Sequence, residues 1–280
     1  MKELYILTEN NLPNLPPDDS NLLAELKRQG IKGIIEIWDE FQVLEGLDIL
    51  VRTPWDYPTK IDKFKQLLED IHNHGCRCFN PIKDMQWNLN KRYMHHLKDL
   101  GINIIPTNIF KSFSLEMIVQ ELPIVVKPLF GAAGLNTFLV NNETDLIKLN
   151  PLIGSDVIIQ PFVESILTKG EYSYIFFDGK FSHAVVKNAR PGEFRVQDDH
   201  GGRVEKYVPT SVEITTINSY LDKLDRELTY VRVDVVYYKD ELVIMELEAI
   251  EPELFFRFEK SAIQTFCKLI SKSLNESNQR

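Results

Sequence analysis

The sequence predicts an α/β fold, and three patterns carry that expectation. In the first third, short apolar runs alternate with stretches whose hydrophobic residues recur at helical spacing. From residue 171 onward, two β-rich stretches, EYSYIFFDGKFSHAVVK and YVRVDVVYYKDELVIMELEAI, each close on a short polar turn and read as hairpins. The 280 residues are 44% hydrophobic, enough to bury a core in two or three lobes.

Residues 4–8 form a short apolar strand, and the loop NNLPNLPPDD after it is held open by Pro13, Pro16 and Pro17. Asp19 or Ser20 caps a helix running to Gln29, with Leu22, Leu23 and Leu26 as its apolar stripe and Gly30 as its stop. Strands over 31–38 and 47–52 alternate with it. RTPWDYP, residues 52–58, follows the C-terminal end of the third strand, where open parallel sheets place ligands. Arg52, Trp55, Asp56 and Tyr57 therefore either wall a substrate site or plug a domain junction. Ile61, Phe64, Leu67, Leu68 and Ile71 keep helical spacing and read as core. His72, His74, Cys76 and Cys78 match no standard zinc spacing; the histidines suit a helix C-terminus before Gly75, and the cysteines share one face of a short strand. After Asn80 and Pro81 a second helix spans 90–100, with Lys91 in its first turn, either at an anion or snorkelling on the surface.

PIVVKPLFGAAGLNTF, residues 123–138, reads as strand, glycine loop, strand. Lys127 ends the first strand, and Gly131 to Gly134 offer backbone N–H groups to a phosphate. No G-K-[ST] follows, so this is not a Walker A loop, and a plain hairpin turn also explains the glycines. VIIQPFV is a strand broken at Pro161, which leaves backbone groups of Phe162 and Val163 free to meet a purine edge. The next hairpin closes on Asp178 and Gly179 and carries His183 as a core histidine. NARPGEFRVQDDHGGRVEKY then reads as a mobile loop or lid. Arg190, Arg195 and Arg203 in it are candidates for clamping phosphate or carboxylate, although each alone reads equally as a solvated charge, and His200 has no evident partner.

The hairpin over 230–252 holds the densest chemistry. Folding it at Lys239 and Asp240 sets Asp234 against Met245 and Glu246, within one residue of register. Alternation puts Glu246 and Glu248 on one face and Met245, Leu247 and Ala249 on the other. Three carboxylates then converge and repel unless a cation lies between them, and an all-oxygen, all-anionic set suits Mg²⁺. The other reading is a solvated hairpin face with Asp234 paired to Arg232 or a lysine.

A net charge of -9 without a run of lysine or arginine argues against nucleic acid and anionic membrane as partners. No apolar run approaches the roughly 18 residues of a membrane span, and the first residues do not form a signal peptide, so a cytoplasmic protein is expected. Three cysteines fit reduced thiols.

Lysine, glycine loop, broken strand, charged lid and carboxylate hairpin, in that order, resemble the ATP-grasp superfamily. The chain is similar to glutathione synthetases, and more closely to the ligases that look like the cyclo-ligase of cycloserine biosynthesis, on LPNLPPDD, RTPWDYP and HAVVKNARPGEFRVQDDHGGRVE ahead of MELEAIEPELFF. That resemblance implies an N-terminal pre-ATP-grasp α/β domain over 1–85, a central ATP-grasp lobe over 86–163 and a C-terminal ATP-grasp lobe over 164–280, the last two clamping ATP. It further implies that Lys91 and Lys127 bind the α and β phosphates and that the loop Gly131, Ala132, Ala133, Gly134 covers the β and γ phosphates. Gln160 and the backbone of Phe162 and Val163 would recognise adenine, with Glu171 on the ribose. Asp234, Glu246 and Glu248 would hold magnesium, two ions with Mn²⁺ as a substitute. Lys187, Arg195 and Arg203 would meet the γ phosphate and the substrate carboxylate. Ala133 where many relatives carry glycine, Glu248 in place of an asparagine, and Ser173 in place of a cationic residue are departures.

The implied activity is ATP-dependent carboxylate-amine ligation through an acyl phosphate, on small amino-acid-like or peptide substrates. The amine would lose its proton to a phosphate oxygen or to Glu251. A phosphotransferase and a non-catalytic nucleotide-binding protein are the alternatives, and a homodimer is open.

Overall fold

The computed structural model describes residues 1–119, 121–131, 134–196 and 201–276. The strands described there form three sheets. The first is parallel, in the order β2-β1-β3-β4, from β1 (Lys2–Thr8), β2 (Ile31–Ile37), β3 (Asp48–Thr53) and β4 (Arg77–Cys78). Side-chain alternation along β1 sends Leu4 and Ile6 to one face and Leu7 to the other. Leu7 packs with Ile49 and Val51 against Phe64, Leu67, Leu68 and Ile71 of α2 (Ile61–Asn73). Leu4 and Ile6 meet Leu22 and Leu26 of α1 (Leu22–Arg28).

Three details of this region differ from expectation. Asp19 does not cap α1; it lies in a 3₁₀ turn and pairs, fully buried, with Arg52. A helix, α3 (Ile82–Leu89), fills a stretch to which the sequence reading assigned no element. Its inward face is Met85 and Leu89 together with Asp84 and Asn88, half of it polar, so apolar periodicity does not reveal it. Finally, α4 (Tyr93–Asp99) starts late enough that Lys91 precedes the helix rather than sitting in its first turn.

The second sheet is antiparallel, ordered β5-β8-β6-β7, from β5 (Asn108–Phe110), β6 (Ile124–Pro128), β7 (Phe138–Val140) and β8 (Val157–Pro161). It keeps its own small core of Phe113, Ile124, Val126, Val140, Leu149, Leu152, Val157 and Ile159.

After the short α5 (Ser165–Lys169), the third sheet is antiparallel in the order β11-β10-β9-β12-β13. Its strands are β9 (Glu171–Phe177), β10 (Lys180–Asn188), β11 (Arg203–Tyr207), β12 (Tyr230–Tyr238) and β13 (Glu241–Glu248). Both expected hairpins are present. Both turn on two residues, Asp178 and Gly179 with φ of 50° and 68° and Lys239 and Asp240 with φ of 51° and 65°, the double left-handed geometry that matches strand twist in a two-residue turn. His183 is a core residue as expected, its Nε2 3.0 Å from the Leu254 carbonyl. The stretch read as a lid is partly ordered sheet, since β11 pairs with β10 from Asn188↔Arg203 to Ala184↔Tyr207. On the other flank, α6 (Ser211–Asp222) opens on a capping box between Thr210 and Glu213.

The chain closes with α7 (Ala262–Glu276), whose Phe266, Ile270 and Leu274 cover the Leu4 and Ile6 face of the first sheet. No described helix is long and apolar enough to cross a membrane.

Candidate active site

A cavity of about 570 Å³ lies where the three sheets meet. Its floor is the β12–β13 hairpin. Pairing sets Asp234 opposite Glu246 and Arg232 opposite Glu248, within the register expected from the sequence. A bulge between Asp234 and Val235 shifts the ladder there, and Met245 consequently lines the cavity instead of holding to the opposite face.

Each floor carboxylate has a cationic neighbour. Asp234, 2% exposed, accepts from Arg232 at 2.8 Å, Lys187 at 3.2 Å and the Ser173 hydroxyl at 2.5 Å. Burial opposes its charge, but Arg232 and Lys187 hold it well below the usual carboxylate range. Glu246 pairs with Lys91, and Glu248 with Arg232. Burial pushes Glu248 up to about 8, with Asp234, Glu246 and Glu251 adding repulsion that Arg232 does not offset. Burial likewise lifts Glu251 to about 7, against the Tyr57 hydroxyl and Lys91. Both alternatives for this hairpin thus hold in part: carboxylates converge, and Asp234 is already paired.

The structure brings most of the sequence-derived candidates into this one cavity. Lys91, Lys127, Gly131, Gly134, Gln160, Phe162, Val163, Glu171, Lys187, Arg195, Asp234, Glu246 and Glu248 all line it. Lys91 is buried and ion-paired, not a snorkelling surface lysine. Lys127 makes no hydrogen bond or ion pair with any described residue; burial lowers its pKa, Glu246 opposing and Lys91 reinforcing. The Gln160 amide is oriented by a 2.9 Å bond to the Thr107 hydroxyl. Glu171 is tied to Lys187 at 2.5 Å, and Arg195 to Glu193 at 2.8 Å.

Three expectations need correction or stand outside the view. Phe162 does not have a free N–H, because it donates to the Pro123 carbonyl at 3.0 Å. Arg203 does not reach the cavity. On the edge strand β11 it is Val204 that lines the cavity, whereas Arg203 is 78% exposed and pairs with Glu205. Ala132, Ala133 and His200 lie outside the described residues.

Sequence reasoning undervalued Arg232, which it treated only as a partner of Asp234; it is the guanidinium that bridges Asp234 and Glu248. The RTPWDYP loop turns out to do both things proposed for it. Arg52 plugs the junction, donating to the Pro252 carbonyl at 2.6 Å and to Asp19 at 3.0 Å. Trp55 and Tyr57 wall the cavity, and Trp55 Nε1 donates to the Glu251 carbonyl at 2.9 Å. The histidines and cysteines of residues 72–78 form no metal cluster among the described residues, and His74 is the C-cap of α2.

No three acids among the described residues close on a point as a ready-made ion cage. Glu246 and Glu248 nonetheless fit a divalent cation: they are oxygen donors two residues apart on one strand face, where burial, joined by repulsion from Asp234, Glu246 and Glu251, raises Glu248. Asp234 fits less well while its oxygens are engaged by Arg232, Lys187 and Ser173.

Two antiparallel sheets facing each other across a cleft, with lysines on one side and a carboxylate hairpin on the other, define an ATP-grasp enzyme. Comparison with known proteins specifies which kind. A profile of the RimK-like ATP-grasp domain matches residues 99–271, and one of the D-cycloserine synthetase DcsG N-terminal domain matches residues 4–80. The chain therefore belongs to the RimK-like ATP-grasp family, and it is an enzyme of the ligase class. It is 27% identical over 259 residues to the cycloserine biosynthesis protein DcsG of Streptomyces lavendulae, covering 85% of each chain. The crystal structure of D-cycloserine synthetase DcsG superposes with a TM-score of 0.84 at 24% identity, over 97% of this chain and 99% of that one. D-alanine–D-alanine ligase from Bacillus anthracis shares the fold, with a TM-score of 0.69 at 14% identity over 99% and 100% of the two chains.

Proposed function

We propose that this protein joins a carboxylate to an amine at the expense of ATP, through an acyl phosphate, on a small amino-acid-like substrate. The observation that carries this reading is Lys127, a half-buried lysine whose ammonium has no hydrogen bond or ion pair among the described residues and which lines a cavity floored by Asp234, Glu246 and Glu248. A partly desolvated cation in that state is suited to an incoming phosphate.

In this reading Lys91 and Lys127 hold the α and β phosphates and the loop from Gly131 to Gly134 covers the β and γ phosphates. Gln160, turned by Thr107, and the chain at Phe162 and Val163 meet adenine, and Glu171 meets the ribose. Glu246 and Glu248, with Asp234 once its partners shift, hold magnesium, which when bound offsets phosphate charge. A carboxylate oxygen of the substrate attacks the γ phosphorus, the bond to the bridging oxygen breaks, and ADP leaves. The amine nitrogen then attacks the acyl carbon, phosphate departs, and the proton passes to a phosphate oxygen or to Glu251. Lys187 and Arg195 stabilise the transferring phosphoryl group, and catalysis is positioning and charge neutralisation. Arg203 would join them only after moving from its pairing with Glu205. Residues 1–85, 86–163 and 164–280 are the proposed domain limits.

The test is ADP and phosphate release from Mg-ATP across a panel of D- and L-amino acids and dipeptides, with hydroxylamine present. D-cycloserine is added as a product-side ligand, because the N-terminal match is to a D-cycloserine synthetase. A hydroxamate that appears with ADP and vanishes in Glu246→Gln supports the acyl phosphate. A stable phosphorylated product without free phosphate would make the enzyme a phosphotransferase instead.

A further inference from the structure

β13 is an edge strand, and the carboxylates it carries repel one another. It is also weakened by the bulge that precedes Glu246. Something must keep such a strand from peeling outward. On the inner edge β12 does so. On the outer edge a single parallel bridge holds Ile244, Ile105 N–H donating to its carbonyl and its own N–H to the Asn103 carbonyl, both at 2.9 Å. Beyond it no described strand runs beside Glu246 and Glu248, yet the main-chain groups flanking Glu248 are all satisfied. Leu247 N–H donates to the Tyr93 hydroxyl at 3.0 Å. The Asn88 amide donates to the Leu247 carbonyl and accepts from Ala249 N–H, both at 2.8 Å. Asn80 donates to the Ala249 carbonyl at 2.8 Å and also binds Tyr230 at the start of β12.

The Asn88 side chain thus supplies the donor and acceptor that a neighbouring strand's peptide would supply, spaced to bracket the residue whose side chain enters the cavity. Asn88 and Tyr93 are buried; Asn88 also borders the cavity, whereas Tyr93 does not touch it. Both belong to residues 81–98, the stretch between the two family matches, which also contributes Lys91 to Glu246.

We propose that Asn88 and Tyr93 are positioning residues for the Glu246 and Glu248 carboxylates, holding β13 so that the two side chains stand where a nucleotide-bound divalent cation needs them. The proposal rests on the ligase reading and concerns how its metal site is kept in shape. Residues acting on metal ligands from behind commonly tune affinity 10–100-fold.

The experiment is a Mn²⁺ titration in the presence of ADP, free ion being read by electron paramagnetic resonance, with ADP binding measured separately by calorimetry without metal. Asn88→Ala is expected to weaken Mn²⁺ by about tenfold and Tyr93→Phe by about threefold, with metal-free ADP affinity within about twofold. In a Glu248→Gln background, titrated until that variant saturates, Asn88→Ala is expected to cost less than in the parent, because part of its effect passes through Glu248. Additive losses in the double variant, or both single variants binding Mn²⁺ like the parent, would overturn the proposal while leaving the ligase reading intact. Failure of the parent protein to bind Mn²⁺ with ADP would overturn both. Tyr93→Phe keeps the ring and carries the test if Asn88→Ala does not fold.

Discussion

The hairpin that floors the cleft and the lobe that roofs it treat buried charge in opposite ways. On the floor, Asp234, Glu246 and Glu248 have cationic partners in Arg232, Lys187 and Lys91. On the roof, the half-buried Lys127 has no hydrogen bond or ion pair among the described residues and feels Glu246 only from a distance. The backbones differ too. The floor belongs to the largest sheet and is gripped along its outer edge, whereas the roof sheet has a separate small core and meets its surroundings through few bonds, such as Lys91 N–H to the Leu129 carbonyl. The floor's charges are matched within the protein, whereas the Lys127 side chain, without a direct partner among the described residues, is suited to an anionic ligand.

The comparison breaks most visibly at Arg232. Arg232→Met leaves Asp234 and Glu248 short of their shared guanidinium, and a loss of about 3–5 kcal/mol in urea unfolding at neutral pH is expected. A variant as stable as the parent would mean that the floor is not held by charge pairing. Lys127→Met should behave differently. Its unfolding free energy is expected to change by no more than about 1 kcal/mol, because the desolvation cost of this half-buried cation roughly offsets its attraction to Glu246. ATP binding by calorimetry should nevertheless fall by roughly 30-fold or more, as a charge-assisted contact to phosphate is lost.

A smaller version of floor logic operates beneath α6. There Glu213 is pushed up by burial, but hydrogen bonds from Thr210, Tyr207 and Tyr237 bring it below its ordinary value. A carboxyl depressed on folding stabilises above its unfolded pKa, and that contribution is lost as pH falls through the folded value. Glu213→Gln should therefore cost about 1–3 kcal/mol at pH 7, with the gap to the parent closing below about pH 4 in acid unfolding monitored by circular dichroism. The least effect is expected where the roof touches α2. Lys65 lies over the Phe130 ring at 4.2 Å, and Lys65→Met should shift unfolding by about 0.5–1 kcal/mol while leaving the floor's response to Arg232→Met unchanged.

Much of the floor was legible in the sequence because a hairpin is a local object. A polar two-residue turn and period-two alternation placed Asp234 against Glu246 without knowledge of the rest of the chain. The glycine loop and Lys127 were legible for the same reason. What was hidden depends on partners far away in sequence. Arg52 owes its burial to Asp19 and Pro252, and Asn88 its role to Leu247 and Ala249, contacts that no periodicity encodes. The bulge that turns Met245 into the cavity is a one-residue irregularity, below the resolution of a register argument. Phe162 was misjudged because its N–H finds Pro123, a partner brought in by the adjoining strand.

The last helix has a consequence for how the molecule is held together. Phe266, Ile270 and Leu274 of α7 seal the face of the first sheet that carries Leu4 and Ile6, and the carbonyl of Leu274 receives the ammonium of Lys2. α1 covers part of that face, and a helix more than two hundred residues away in sequence finishes burying it. The two parts of the chain that match separate family profiles thus share one core, and removing residues 262–276 would uncover Leu4 and Ile6.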